Sequence, residues 1–117
     1  MSISEAPPNT ARVEDVLAAA RESIRAARFA EAAASLQRLL GADDLDEDTR
    51  NEAEYTLAVA RRYGGEPAAA LAVLDALLAR AADYSRGWQE RGHTLLVLGR
   101  PAAAAEAYNR AVHLNPG

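Results

Sequence analysis

The side chains able to do chemistry are few and widely spaced. Asp44-x-Asp46-x-Asp48 imitates the start of a calcium loop, where alternating carboxylates converge on one hard cation. The glycine such a loop needs is Thr49 here, and its closing Glu falls at Tyr55. These acids read better as a solvated linker running into a helix N-terminus, whose dipole favours negative charge. His93 and His113 have no Cys or His at ligand spacing, so no metal is expected. Ser23, Ser35 and Ser85 lack a nucleophile-elbow context, and the glycines form neither a GxGxxG nor a P-loop pattern. With no cysteine, disulfide scaffolds, thiolate zinc sites and Cys nucleophiles are excluded. No catalytic constellation and no cofactor is expected, and the chain reads as a non-enzyme.

The elements that position these groups show first in the composition. A chain of 117 residues makes one domain with a real core. It contains 29 alanines but one Phe, one Trp and one Met, so its core must bring backbones close together. Alanine-faced helices do this and stacked sheets do not, which predicts an all-α fold. Net charge is −4, and all 13 basic residues are Arg, which fits GC-rich coding. Without a basic excess, no nucleic-acid partner is expected. The N-terminal MSISEAPPNTARVED lacks the basic start and apolar run of a secretory signal. No stretch reaches the 18 or so apolar residues of a membrane span, so a cytoplasmic chain with no membrane contact is expected.

Self-similarity then organises the chain. Gly65–Leu78, GEPAAALAVLDALL, aligns with Gly99–Val112, GRPAAAAEAYNRAV, at an offset of 34. Gly65/Gly99, Pro67/Pro101 and Ala68–Ala70/Ala102–Ala104 match. A fainter copy, RFAEAAASLQRLL (Arg28–Leu40), puts Ala32 in the slot of Ala70 at an offset of 38, with the extra residues in the acidic Gly41–Asp48. Residues 1–9 are expected to be a disordered tail, and 10–117 one domain of three units, about 13–50, 51–84 and 85–117. Each unit reads as two helices joined by a tight turn. In the third, Trp88, Gly92, Leu95 and Leu98 make one face, and Ala104, Ala105, Tyr108, Ala111 and Val112 another. Gly99 ends one helix and Pro101 opens the next, as Gly65 and Pro67 do one unit earlier. The first unit has Arg28–Phe29 there instead. Thr10, Asp46 and Asp83 are the expected N-caps of the first helices.

These residues resemble the tetratricopeptide repeat, TPR, whose pattern W-x2-L-G-x2-Y…A-x3-F…P is met by Trp88, Gly92, Ala104, Tyr108 and Pro116, with Leu95 in the Tyr slot. Arg91 departs from the expected Leu. The middle unit offers Leu57, Ala58, Ala70 and Leu74 but has Glu54 for the aromatic and Ala82 for the Pro, and the first offers Val16, Ala20, Ala32 and Leu36. Sel1-like and HEAT-type repeats fit the spacing less well. The resemblance implies a right-handed α-solenoid of three antiparallel helix pairs, with the first helix of each pair lining a concave groove.

On that inner surface the resemblance places Glu14, Leu17, Arg21 and Arg25, then Glu52, Tyr55, Val59 and Arg62, then Arg86, Gln89, His93 and Leu96. The groove expected to bind a partner is Arg21, Arg25, Tyr55, Val59, Arg62, Arg86, Gln89 and His93, its arginines suited to carboxylates of an extended peptide or partner helix. The plainer alternative is that these are solvated helix faces. One TPR subclass grips chaperone C-termini with Lys and Asn, at places held here by Leu17, Arg21, Thr56, Arg86 and Glu90. Only Arg86 is a fair substitute, so that mode is not expected.

The last unit stops at LNPG, where a solenoid normally continues, and Tyr108, Ala111 and Val112 are expected to lie exposed. A longer natural protein, self-association through this face, or a partner bound there would each account for it. Tyr84–His93, YSRGWQERGH, and the following LLVLGRPAAAAEAY also resemble the TPR region before the catalytic domain of bacterial TPR-containing sulfotransferases. That resemblance implies substrate positioning for a domain beyond Gly117. The leading expectation is a non-catalytic protein-interaction module, the N-terminal part of a larger bacterial protein; its rival is a self-associating structural module.

Overall fold

The computed structural model describes residues 8–116. They form six helices: α1 (Pro8–Arg25), α2 (Phe29–Leu40), α3 (Glu47–Tyr63), α4 (Pro67–Arg80), α5 (Ser85–Val97) and α6 (Pro101–Leu114). There is no strand among the described residues, so the all-α expectation holds.

The helix ends follow from local chemistry, with two corrections. Helix α1 begins at Pro8, a residue suited to a first turn, so Thr10 lies inside the helix and not at its N-cap position. Pro8 and Asn9 are therefore helical, while residues 1–7 of the expected tail lie outside the described residues. Asp46 does cap α3, its Oδ1 accepting the Thr49 N–H at 2.7 Å. That backbone bond and a second from the Thr49 side chain hold the Asp46 carboxyl below its usual range. Asp83 is not a cap: α5 starts at Ser85 behind Tyr84, which makes no capping bond and turns its ring elsewhere. The extra residues of the first repeat go into the α2–α3 loop and one added turn of α3, which has 17 residues against 13 in α5.

All three tight turns share one hydrogen-bond pattern. Glu66 N–H bonds Arg61 O at 2.8 Å, Arg100 N–H bonds Leu95 O at 2.8 Å, and Arg28 N–H bonds Ser23 O at 2.7 Å. These six-to-one closures need a left-handed residue just before the donor. Gly65 (φ +84°) and Gly99 (φ +77°) supply it, and in the first unit Ala27 does so at φ 62°.

Every helix packs on its neighbour in the chain. Beyond that, α1 touches α3 and α3 touches α5, whereas α2, α4 and α6 make no contact with one another. The described residues extend over 60 × 28 × 25 Å. The apolar interior falls into three clusters: Leu17, Leu36 and Leu57 with five alanines; Leu74 and Leu77 with Ala58, Ala70 and Ala81; and Leu95 with Ala104 and Ala107. Ala32, Ala70 and Ala104, the repeat-matched alanines, are all buried. Leu17, which the resemblance places on the inner surface, is instead core.

The face of α6 also differs from expectation. Ala104, Ala107 and Ala111 are buried and Ala105 is exposed, so the packed stripe is turned away from Ala105. Tyr108 is half-buried: its ring lies against Gly92, where a Cβ would come within 2.5 Å of it. Ala111 accepts a hydrogen bond from Ser85 Oγ at 3.1 Å. Of the three residues expected to be exposed, only Val112 is. Among the described residues, no helix is long and apolar enough to cross a membrane.

Candidate functional site

Helices α1, α3 and α5 lie side by side, and a cleft of about 240 Å³ opens on them. Its wall is Arg21, Ile24 and Arg25 from α1, Glu52, Tyr55, Thr56 and Val59 from α3, and Arg86 from α5. Five of the eight expected groove residues thus converge: Arg21, Arg25, Tyr55, Val59 and Arg86. Larger hollows lie elsewhere, one of about 570 Å³ beside the α1–α2 and α3–α4 turns and one of about 300 Å³ between α1 and α2. The first is floored by alanines, with Arg61 already paired to Glu66 at 2.9 Å, and neither collects the groove residues.

Glu52 is the hub of the cleft. It accepts from Arg21 Nη1 at 3.2 Å, from Arg86 Nη1 at 2.9 Å and Nη2 at 3.5 Å, and from the Tyr84 hydroxyl at 3.3 Å. The Arg86 guanidinium lies 4.3 Å over the Tyr55 ring, which meets Tyr84 edge-on at 6.2 Å. Burial, reinforced by the Glu52 charge, pushes the Tyr84 phenol up to about 12. Burial draws the Arg86 guanidinium down, but its hydrogen bond to Glu52 and the neighbouring groups outweigh that and leave it raised. Arg25 is exposed and pairs with Glu22, one turn back on its own helix, at 2.8 Å. The lining therefore holds three guanidiniums against one carboxylate.

The other three expected residues lie outside the cleft lining. Arg62 turns to Glu90, pairing through Nε to Oε2 and through Nη2 to Oε1 at 3.2 Å. The Glu90 side chain is only 3 % exposed, so this charge needs its partner. His93 Nδ1 is 2.7 Å from the Tyr108 hydroxyl, which ties α5 to α6. Gln89 is exposed on α5 and does not line the cleft. The sequence reading missed Glu52 as a hub and Tyr84 altogether. A signal existed for the first: Glu52 and Arg86 are 34 residues apart, one repeat, and so fall at the same place on adjacent helices with opposite charge.

Among the described residues, no group of three or more His, Cys, Asp or Glu could hold a metal ion. The acidic run is used as helix-end chemistry, through the Asp46 cap and Glu47 and Asp48 in the first turn of α3. A scan of protein-family models and a search of curated proteins each find no match to this chain.

Proposed function

We propose that the chain is a non-catalytic interaction module of TPR type, a solenoid of three helix pairs whose cleft on α1, α3 and α5 binds a peptide or partner helix. The contact pattern supports the solenoid reading. Odd-numbered helices touch in series and even-numbered ones do not, as expected when the odd layer lies at the smaller radius. The binding reading rests on the convergence of Arg21, Arg25, Tyr55, Val59 and Arg86 from three helices into one cleft. Apolar floor, one tyrosine ring and guanidinium forks together match what an extended segment or helix needs from a groove.

Selection from a displayed random-peptide library tests this. Peptides retained by the chain should bind at least about tenfold more weakly to Arg21→Ala and Arg86→Ala, a loss of one or two charge-assisted hydrogen bonds. Both arginines are half-exposed, so their removal leaves the core intact. Undiminished binding to both variants counts against the cleft.

One observation favours a second reading, self-association through the end of the array. Leu78 is buried where α5 packs on α4, and Val112, its counterpart one repeat later, is 61 % exposed. Leu96 and Val97, at the end of α5, are also exposed. Light scattering over a concentration series should then show growing mass that Val112→Glu abolishes; a constant monomer mass removes this reading.

A further inference from the structure

The cleft already holds a carboxylate of its own, which accepts from Arg21, Arg86 and the Tyr84 hydroxyl. Glu52 meets Arg21 at 3.2 Å and Arg86 at 2.9 and 3.5 Å, mostly longer than the ~2.7–2.9 Å of a well-made charge-assisted bond. It reaches across to two other helices at once, meeting Arg86 through both oxygens, one of them at the 3.5 Å limit, and Arg21 through one. Its two arginines are 45 % and 52 % exposed, whereas Glu52 itself is 24 % exposed, so solvent reaches the guanidiniums from the side that Glu52 does not cover. Each guanidinium has five N–H donors and spends one or two on Glu52.

We propose that Glu52 is an internal stand-in for a ligand carboxylate, and that the cleft takes a segment carrying acidic residues beside an apolar one. This rests on the reading of the cleft as a binding site. An incoming carboxylate takes Arg86 or Arg21 bidentately and displaces Glu52, while the apolar side chain settles on Ile24, Tyr55 and Val59. The Thr56 hydroxyl is already spent on the Glu52 carbonyl at 2.8 Å, so the floor offers that side chain no competing free hydroxyl. Arg25 is paired with Glu22, which leaves Arg21 and Arg86 against Glu52, and this excess of one positive charge favours an acidic segment over a basic one. Glu52 then sets selectivity: it neutralises part of the cleft when empty, and only a ligand bringing its own carboxylate can replace it.

The experiment is calorimetric titration of wild type and Glu52→Gln with three blocked pentapeptides: Glu-Glu-Leu-Glu-Glu, its Gln counterpart and its Lys counterpart. Glu52→Gln should bind the acidic peptide about tenfold more tightly than wild type does, roughly the worth of one released charge-assisted hydrogen bond, and Glu52→Ala should do the same. The Lys peptide should bind neither wild type nor Glu52→Gln. Equal or weaker binding of the acidic peptide by Glu52→Gln and Glu52→Ala overturns the stand-in role and leaves the cleft reading in place. Binding of the Lys or Gln peptide as tightly as the acidic one overturns the acidic class alone. If library-selected peptides keep full affinity for Arg21→Ala and Arg86→Ala, the cleft reading falls and this inference with it.

Discussion

Ala27 occupies a backbone conformation that glycine occupies at the two equivalent turns. An L-residue in the left-handed region is strained by roughly 1–2 kcal/mol, and glycine gives back about 0.4–1 kcal/mol through its freer unfolded chain. Ala27→Gly should therefore stabilise the protein by about 0.5–1 kcal/mol, read as a higher urea midpoint at unchanged slope. Gly99→Ala should do the reverse by about 1 kcal/mol. No atom lies within 4 Å of a Cβ built at Gly99, so that loss is one of backbone conformation and not of collision. Nothing in the sequence marks Ala27, because an alanine among alanines carries no turn signal. Only the hydrogen bonds show that the first turn repeats the other two.

Tyr84 gives a second residue-scale outcome. Its folded phenol is raised from 10.0 to about 12 by burial and Glu52, so the neutral form is favoured in the folded chain. The associated stability is complete below pH 10 and is lost as pH rises toward 12. Denaturant midpoints followed across that window should fall more steeply in wild type than in Tyr84→Phe, and a difference absorbance titration between the two should place the Tyr84 phenolate near 12.

At the scale of elements, the pair between α3 and α5 decides more than any groove contact. Glu90 is buried on α5, and Arg62 from α3 is the only cation bonded to it among the described residues. Removing one partner of such a pair costs about 3–5 kcal/mol, because the remaining charge is left buried. Arg62→Ala should therefore lower stability by about 3 kcal/mol in chemical denaturation. Arg62→Leu combined with Glu90→Leu should recover most of that loss, since an apolar pair needs no counter-charge. A weakened partner on Arg62→Ala alone would thus report a damaged fold and not a lost contact.

The same scale shows what the sequence makes legible. The helix pairs, the turns at Gly65–Pro67 and Gly99–Pro101, and the buried Ala32, Ala70 and Ala104 follow from the repeat, because turn chemistry and small residues recur at a fixed period. The rotation of α6 does not. Ala102–Ala105 and Ala107 are interchangeable in any apolar stripe, so several rotations satisfy the pattern equally, and the structure selects Ala104, Ala107 and Ala111. Nor does the direction of Arg62: a long side chain at the edge of a groove face can reach either way, and a buried Glu90 outweighs an open cleft.

For the whole molecule, the series of contacts governs how stability is spread. Helix α3 touches α1, α2, α4 and α5, whereas α6 touches α5 alone. Of the largest fully buried side chains, Leu36, Leu74, Leu77 and Leu95 lie in α2, α4 and α5. Helix α6 adds three buried alanines and the part-buried Ala103, Tyr108 and Leu114, with no fully buried large side chain. In a chain whose pairs contact only near neighbours, opening free energy is set locally, and an end held by few apolar contacts opens first. Amide hydrogen exchange should therefore run at least about tenfold faster through the middle of α6 than through the middle of α3, a difference of some 1.4 kcal/mol in opening free energy. Uniform protection across both helices would mean that the six helices open as one unit, against the serial pattern of contacts. Filling the α6 face should remove the difference: if self-association covers Val112, α6 protection should rise with protein concentration while that of α3 stays constant.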